Sequence, residues 1–217
     1  MKRIISYLDT KLVAVTGGIG CGQSTVCEYL KSLGCKVINM DVKAKQIIQK
    51  DINIQKELKR TFSRGIFKHG NQLDTKKLAN IVFVDEEKTR KLNKIIHPRM
   101  IAEVIEEMEA ARFSNKYPLV IIDAALIFEV NIEQIFDAIV VVNADIKKRI
   151  KRVMDRDGLE KHEILARIYR QIPLEEKKDW ADYVIDNNGS LEDLKKQTNK
   201  IFEKLTEDLR TEKRIRV

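Results

Sequence analysis

The chain has 217 residues, 43% of them hydrophobic and 34% charged, with 9 Gly and 3 Pro. It is long enough to bury a core, too apolar to be disordered, and too poor in Gly and Pro to be fibrous or of low complexity. The net charge is +8, but the termini hold most of it, with Lys2, Arg3 and Lys11 against Asp9 at one end and Arg210, Lys213, Arg214 and Arg216 against Glu212 at the other. Residues 12–208 carry only +3, an excess that suits a phosphorylated small molecule better than the dense basic stripe of a nucleic-acid binder.

Three cysteines, Cys21, Cys27 and Cys35, form no CxxC pair, which argues against a disulfide scaffold or a zinc site. No apolar run approaches the ~18 residues of a membrane span. The opening MKRIISYLDTK lacks the apolar stretch of a signal peptide, so a cytoplasmic protein is expected.

In chain order, five apolar runs read as buried strands: Leu12–Thr16, Val37–Met40, Leu119–Asp123, Ile139–Asn143 and Tyr183–Asp186. They are rich in Val and Ile and lack alternation, as in a parallel sheet covered on both faces. Helices are expected over Ser24–Leu33, Val42–Lys50, Ile52–Phe62, Thr75–Phe83 and Glu86–Ile96, with a loop at Gly65–Asp74. Pro98 is expected to open a separate long helix to Arg112. Asp145–Asp155, Lys161–Ile172, Pro173–Trp180 and Leu191–Leu209 follow, the last behind a Ser190/Asp193 capping box.

The alternation implies an α/β fold, a three-layer doubly wound parallel five-stranded sheet. Residues 41–118 separate strands two and three, far more than the dozen or so a crossover needs, so a helical insertion is expected there. The domain reading is a single unit over 11–205. Its core is 11–41 and 117–205, a helical substrate lobe occupies about 42–116, a lid about 149–175, and a basic tail 206–217.

The first strand runs into Gly17-Gly18-Ile19-Gly20-Cys21-Gly22-Gln23-Ser24-Thr25 and then a helix. The phosphate-loop pattern is G-x-x-x-x-G-K-[ST], met at Gly17, Gly22 and Ser24. The glycines let consecutive N–H groups converge on an anion, and the helix adds its unbonded N–H groups and positive dipole end. Gly18, Gly20, Cys21 and Gly22 would line the phosphates through the backbone, Ser24 would offer a hydroxyl to Mg²⁺, and Thr25 would reach the α-phosphate. Gln23 stands where the lysine belongs. It can donate a hydrogen bond but carries no charge, which is expected to slow transfer by ~10²–10³.

This stretch resembles the opening of dephospho-CoA kinases, glutamine apart. Val37-Ile38-Asn39-Met40-Asp41, Leu78–Phe83, His97-Pro98, Asp123–Glu129, Arg156-Asp157-Gly158, Gln171–Lys177 and Ala181–Asn187 are similar to further blocks of that family, in order, over about residues 11–205. Ala125 departs from the family's usual Pro. The resemblance implies a P-loop NTPase fold with a helical insertion and a lid. It also implies a cytoplasmic kinase of coenzyme A biosynthesis that moves a phosphoryl group from ATP to the ribose 3′-hydroxyl of dephospho-CoA, with Mg²⁺. ATP and dephospho-CoA are the expected partners, with no specific nucleic acid, no membrane, and a monomer or weak homo-oligomer. A catalytically impaired nucleotide-binding relative and another small-molecule kinase are the alternatives.

Single residues carry two readings each. Asp41, at the end of strand two, is a general base for the acceptor hydroxyl, as the resemblance implies, or a helix cap. Asp123 holds Mg²⁺ from a Walker-B-like strand end, or is a helix cap or a polar strand end. Arg149, Arg152 and Arg156 share one helix face as a phosphate clamp or a solvated stripe, with Arg156 the best match to the family's Arg-Asp pair. His97 contacts substrate or is structural. Asn187 lines the adenine pocket through its backbone or belongs to an Asn-Asn-Gly turn. Trp180 is read as packing, and Cys21 is assigned no chemistry.

Overall fold

The structure, a computed structural model, describes residues 10–68, 72–82 and 85–215, with the side chains of Glu86 and 208–215 excepted. Gly70, Phe83, the charged residues of the first nine positions and the side chains of the basic tail lie outside the described residues. Two compact units emerge, one from residues 1–38 and 108–217, the other from residues 39–107.

The first unit is built on β1 (Lys11–Gly17), β2 (Lys36–Asn39), β3 (Leu119–Asp123), β4 (Ala138–Asn143) and β5 (Tyr183–Asp186). They form a five-stranded sheet in the order β2-β3-β1-β4-β5, parallel as expected. β1 pairs with β3 through Val15↔Asp123 and with β4 through Gly17↔Val142. Successive β1 residues feed opposite layers, because side chains alternate along a strand. Val13 and Val15 join Val26, Cys27 and Leu30 of α1 (Gln23–Ser32) and Leu194 and Leu205 of the C-terminal helix (Leu191–Ile215). Ala14 joins Ile127, Phe128, Ile139 and Val141 on the other side. Both faces are therefore covered, which is why the strands read as unbroken apolar runs. Trp180 meets Phe128 edge-on with ring centroids 5.3 Å apart, the packing role expected of it.

The second unit holds α2 (Met40–Lys50), α3 (Ile52–Thr61), α4 (Thr75–Val82) and most of α5 (Glu86–Phe113). Gln55 is buried in α3 and donates to the carbonyls of Ile48 and Gln49, both at 2.9 Å, closing the end of α2. The region expected to be loop carries a short 3₁₀ turn, Arg64–Ile66, and a bridge from Phe67 to Leu73.

α5 corrects the sequence reading. Pro98 does not open a helix; it lies inside one of 28 residues. Proline removes one backbone donor, yet Ile96, Met100 and Val104 stay buried at four-residue spacing across it. One apolar stripe thus runs through the proline without a change of phase, and its burial outweighs the lost bond.

Back in the first unit, α6 (Ile146–Asp157), α7 (Lys161–Ile168) and α8 (Leu174–Asp179) lie between β4 and β5, and α9 is the C-terminal helix. Ser190 accepts the N–H of Asp193 at 3.1 Å and the Asp193 carboxylate accepts the N–H of Ser190 at 2.9 Å, the reciprocal cap expected for α9.

Candidate active site

β1 delivers residues 17–22 to the carboxyl edge of the sheet, where strand order reverses and ligand crevices form. Gly20 and Gly22 take φ of +78° and +92°, which side chains rarely adopt. At Gly22 a Cβ would also lie 2.1 Å from Nδ2 of Asn187.

Other segments hold the loop by its outer polar groups. The Ile19 N–H donates to Oε1 of Gln171 at 3.0 Å, and the Cys21 carbonyl accepts Nδ2 of Asn187 at 2.7 Å. The carbonyl of Ile19 accepts Nε of Arg149 at 3.0 Å, and that of Gly20 accepts Nη1 of Arg152 at 3.4 Å. Among the described residues the N–H groups of Gly20, Gly22, Gln23 and Ser24 have no protein acceptor. Gly22 caps α1 without a side chain, so the positive end of that helix is open to an anion.

Gln23 does not face outward as a free donor. Its Nε2 donates to the Val15 carbonyl at 2.9 Å and to Oδ1 of Asp123 in a short contact. Asp123 is 6% exposed at the end of β3. Burial, and then the Asp123 carboxylate beside it, push the Cys27 thiol well above its ordinary range. Residues 124–132 hold no helix, with turn over 125–131, so Asp123 caps none. Ser24 and Thr25 are exposed on the first turn of α1.

α6 brings two of its three arginines to the loop. Arg149 is 6% exposed, and Arg152 also donates from Nη2 to the Asn187 carbonyl at 2.9 Å. Arg156, ranked first by resemblance, instead pairs with Asp157 through two bonds of 2.8 and 2.7 Å, and its side chain is largely exposed. Asn187 is buried, its N–H anchored on the Asn143 carbonyl at 2.8 Å, while its carbonyl holds Arg152 and its side chain braces the loop. Cys21 is fully buried, and burial raises its thiol against the opposing pull of Arg149 and Arg152.

Asp41 and His97 belong to the 39–107 unit. Asn39, not Asp41, caps α2, accepting the Val42 N–H at 2.8 Å. Asp41 is exposed, and among the described residues its carboxylate has no hydrogen bond or ion pair. His97 is half-buried inside α5, and burial lowers its pKa.

A phosphate loop followed by an acid on the neighbouring strand is common to many kinases, so the chain-wide comparison decides the family. The family model of dephospho-CoA kinase matches residues 11–193. The chain belongs to the dephospho-CoA kinase family. It is 38% identical over 198 residues to a dephospho-CoA kinase of Aquifex aeolicus, covering 91% of this chain and 99% of that one. A dephospho-CoA kinase of Bacillus licheniformis is 35% identical, with 89% and 96% covered. A crystal structure from Thermus thermophilus superposes with a TM-score of 0.76 at 36% identity, covering 91% of this chain and 98% of that one.

Within this dephospho-CoA kinase family fold, two residues without an assigned role shape the site. Gln171 holds the loop, and Lys177, fully buried, places Nζ 2.6 Å from Oε1 of Glu129 and 3.0 Å from the Ala125 carbonyl. Glu129 in turn accepts the Ile172 N–H at 3.1 Å. The turn after Asp123, where the family usually has Pro at the position of Ala125, is therefore fixed by a buried ion pair. Both Gln171 and Lys177 stand in the Gln171–Lys177 block that carried the resemblance. The signal that could have found Lys177 is its helical spacing from Pro173, Leu174, Trp180 and Ala181, an apolar face on which a buried cation needs an acid such as Glu129.

Proposed function

We propose that this chain transfers the γ-phosphoryl group of ATP to the ribose 3′-hydroxyl of dephospho-CoA, giving CoA and ADP. The observation that carries the reading is the set of unbonded N–H groups at Gly20, Gly22, Gln23 and Ser24, with Asp123 behind it, in a chain of the dephospho-CoA kinase family. Such an array fits a nucleotide's phosphates, and the family implies ATP as the donor.

Asp41 takes the proton of the 3′-hydroxyl as its oxygen bonds to Pγ, while the bond from Pγ to the β,γ-bridging oxygen breaks and ADP leaves with that electron pair. An exposed carboxylate relieved of capping duty suits a base. Gly18, Gly20 and Gly22 bind phosphate oxygens through the backbone and Thr25 reaches the α-phosphate, whereas Cys21, expected among them, spends its N–H on the Gly18 carbonyl at 3.0 Å and only closes the loop. Asn187 sets the loop against the adenine side. In a lid over about 149–175, Arg149 faces the phosphates, Arg152 braces the loop and Arg156 is held by Asp157. His97 touches dephospho-CoA from the helical lobe.

Ser24 and Asp123 are hard oxygen donors, and the described residues offer no cluster of three His, Cys, Asp or Glu that would cage a metal unaided. That set fits Mg²⁺, which keeps several waters and takes its other ligands from phosphates. When bound, Mg²⁺ neutralises charge on the β- and γ-oxygens. No helix among the described residues is long and apolar enough to cross a membrane. We place the enzyme in the cytoplasm, as a monomer or weak homo-oligomer with no specific nucleic-acid partner.

The test is ADP release with dephospho-CoA as acceptor, with the product identified as CoA by mass. Turnover with dephospho-CoA and none with nucleosides or nucleoside monophosphates is expected. Turnover confined to the nucleosides would overturn the reading.

A further inference from the structure

The loop has no lysine at position 23, and Gln23 is turned back onto Val15 and Asp123, so neither charge nor a free amide reaches an anion from that position. A cation nevertheless lies on the loop. Arg149 is 6% exposed, and among the described residues no carboxylate pairs with it. A buried cation without a counter-charge is unfavourable unless an anion completes the site.

Its position is built into both partners. Nε holds the Ile19 carbonyl at 3.0 Å and so fixes the plane of the guanidinium. The two terminal nitrogens then lie over Gly18, where a Cβ would come within 2.3 Å of Nη2 and 3.3 Å of Nη1. One turn of the same interlock sits at Gly20, where a Cβ would meet the Arg149 carbonyl at 2.6 Å. The loop glycines thus make room for α6 as well as for an anion. One of the five guanidinium N–H donors is used on Ile19, which leaves the fork for phosphate oxygens.

We propose that Arg149 is a catalytic residue that supplies, from α6, the positive charge on the transferring phosphates that a phosphate-loop lysine ordinarily supplies. The charge has moved from the loop to the helix packed on it. This rests on the kinase reading above, and it confines the role to one of three arginines. Arg152 is spent on the carbonyls of Gly20 and Asn187, and Arg156 on Asp157.

The test is a cycle of four proteins: native, Arg149→Gln, Gln23→Lys and the double variant. Each is assayed for ADP release with dephospho-CoA and, by calorimetry, for affinity for ATP and for AMP, which lacks the β- and γ-phosphates. Arg149→Gln is expected to lower kcat by ~10²-fold or more in the native background and by less than about fivefold in the Gln23→Lys background. Gln23→Lys alone is expected to change kcat by less than about tenfold. Equal losses in both backgrounds would make Arg149 a brace for the loop and overturn the proposal.

If Arg149→Gln does not fold, Arg149→Lys carries the test, because it keeps a cation and gives up the Nε bond to Ile19. It is expected to hold kcat within about tenfold of native, and a loss of ~10²-fold or more overturns the proposal. If none of the proteins phosphorylates dephospho-CoA, the acceptor reading falls by itself. The preference for ATP over AMP then decides the matter. Arg149→Gln, or Arg149→Ala where it folds better, should cut that preference at least about tenfold in the native background only, and an unchanged preference overturns the proposal.

Discussion

Asn39 takes the capping duty at α2, so Asp41, two residues on, is left without it and stands as the proposed base. Asp41→Asn keeps the shape and removes the base. It is expected to lower kcat by ~10²–10⁴ while ATP affinity stays within about threefold, and a fully active Asn variant would end the base assignment. His97 gives a pH prediction. Its pKa is lowered in the folded state by burial, so the neutral form is favoured on folding. The associated stability is fully present above the unfolded value of about 6.5 and is lost as pH falls through that value toward the lower folded one. Between pH 7.5 and 5.5 the native protein should lose more melting temperature than His97→Gln does. An identical drop in both would remove His97 from the acid response. At this scale the loop residues were legible because their spacing alone states their chemistry. The division of labour among Arg149, Arg152 and Arg156 was not legible. Helical spacing places all three on one face, whereas their partners, the carbonyls of Ile19, Gly20 and Asn187 and the carboxylate of Asp157, come mostly from distant segments.

Strands were the most legible elements, with ends correct to within one residue, because a sheet buried on both faces writes itself as runs of Val and Ile. Helix ends were less so. α1 starts at Gln23, because Gly22 in the left-handed region serves as its cap, and α6 extends to Asp157, because Gly158 at φ +66° is what stops it. α5 was misread at Pro98 for a reason of scale. Proline is a local breaker, and the stripe through Ile96, Met100 and Val104 is a property of the whole helix. An expectation follows from the same competition. Pro98→Ala restores a donor to the exposed side of α5 and forfeits some rigidity of the unfolded chain. The first effect costs proline ~3 kcal/mol in a helix interior and the second favours it by at most ~1 kcal/mol. Pro98→Ala should therefore raise the melting temperature by roughly 3–8 °C. A lower melting temperature would show that the proline fits this helix better than alanine does.

Charge is a property of the whole molecule, and its placement separates two classes of ligand. The +8 total would suit a nucleic acid if it lay in one stripe, but residues 12–208 keep only +3. In the 1–38/108–217 unit the cations that matter are not spread over a face. Arg149 and Arg152 are gathered on one glycine-rich loop in which the N–H groups of Gly20 and Gly22 remain unbonded. That concentration fits a single polyphosphate. Two measurements follow from it. Retention on duplex DNA should be weak and should disappear between 50 and 200 mM salt, because a few scattered phosphate contacts give little affinity for added salt to remove. ATP with Mg²⁺ should instead stabilise the fold, since a ligand that binds only the native state at ~100 times its dissociation constant adds ~2.7 kcal/mol. For a chain of this size that is a rise of roughly 5–11 °C in melting temperature. AMP at the same concentration should give a clearly smaller rise if the loop and Arg149 act on the β- and γ-phosphates as proposed. Equal shifts with ATP and AMP would place recognition on the nucleoside and leave the loop without the role its geometry indicates.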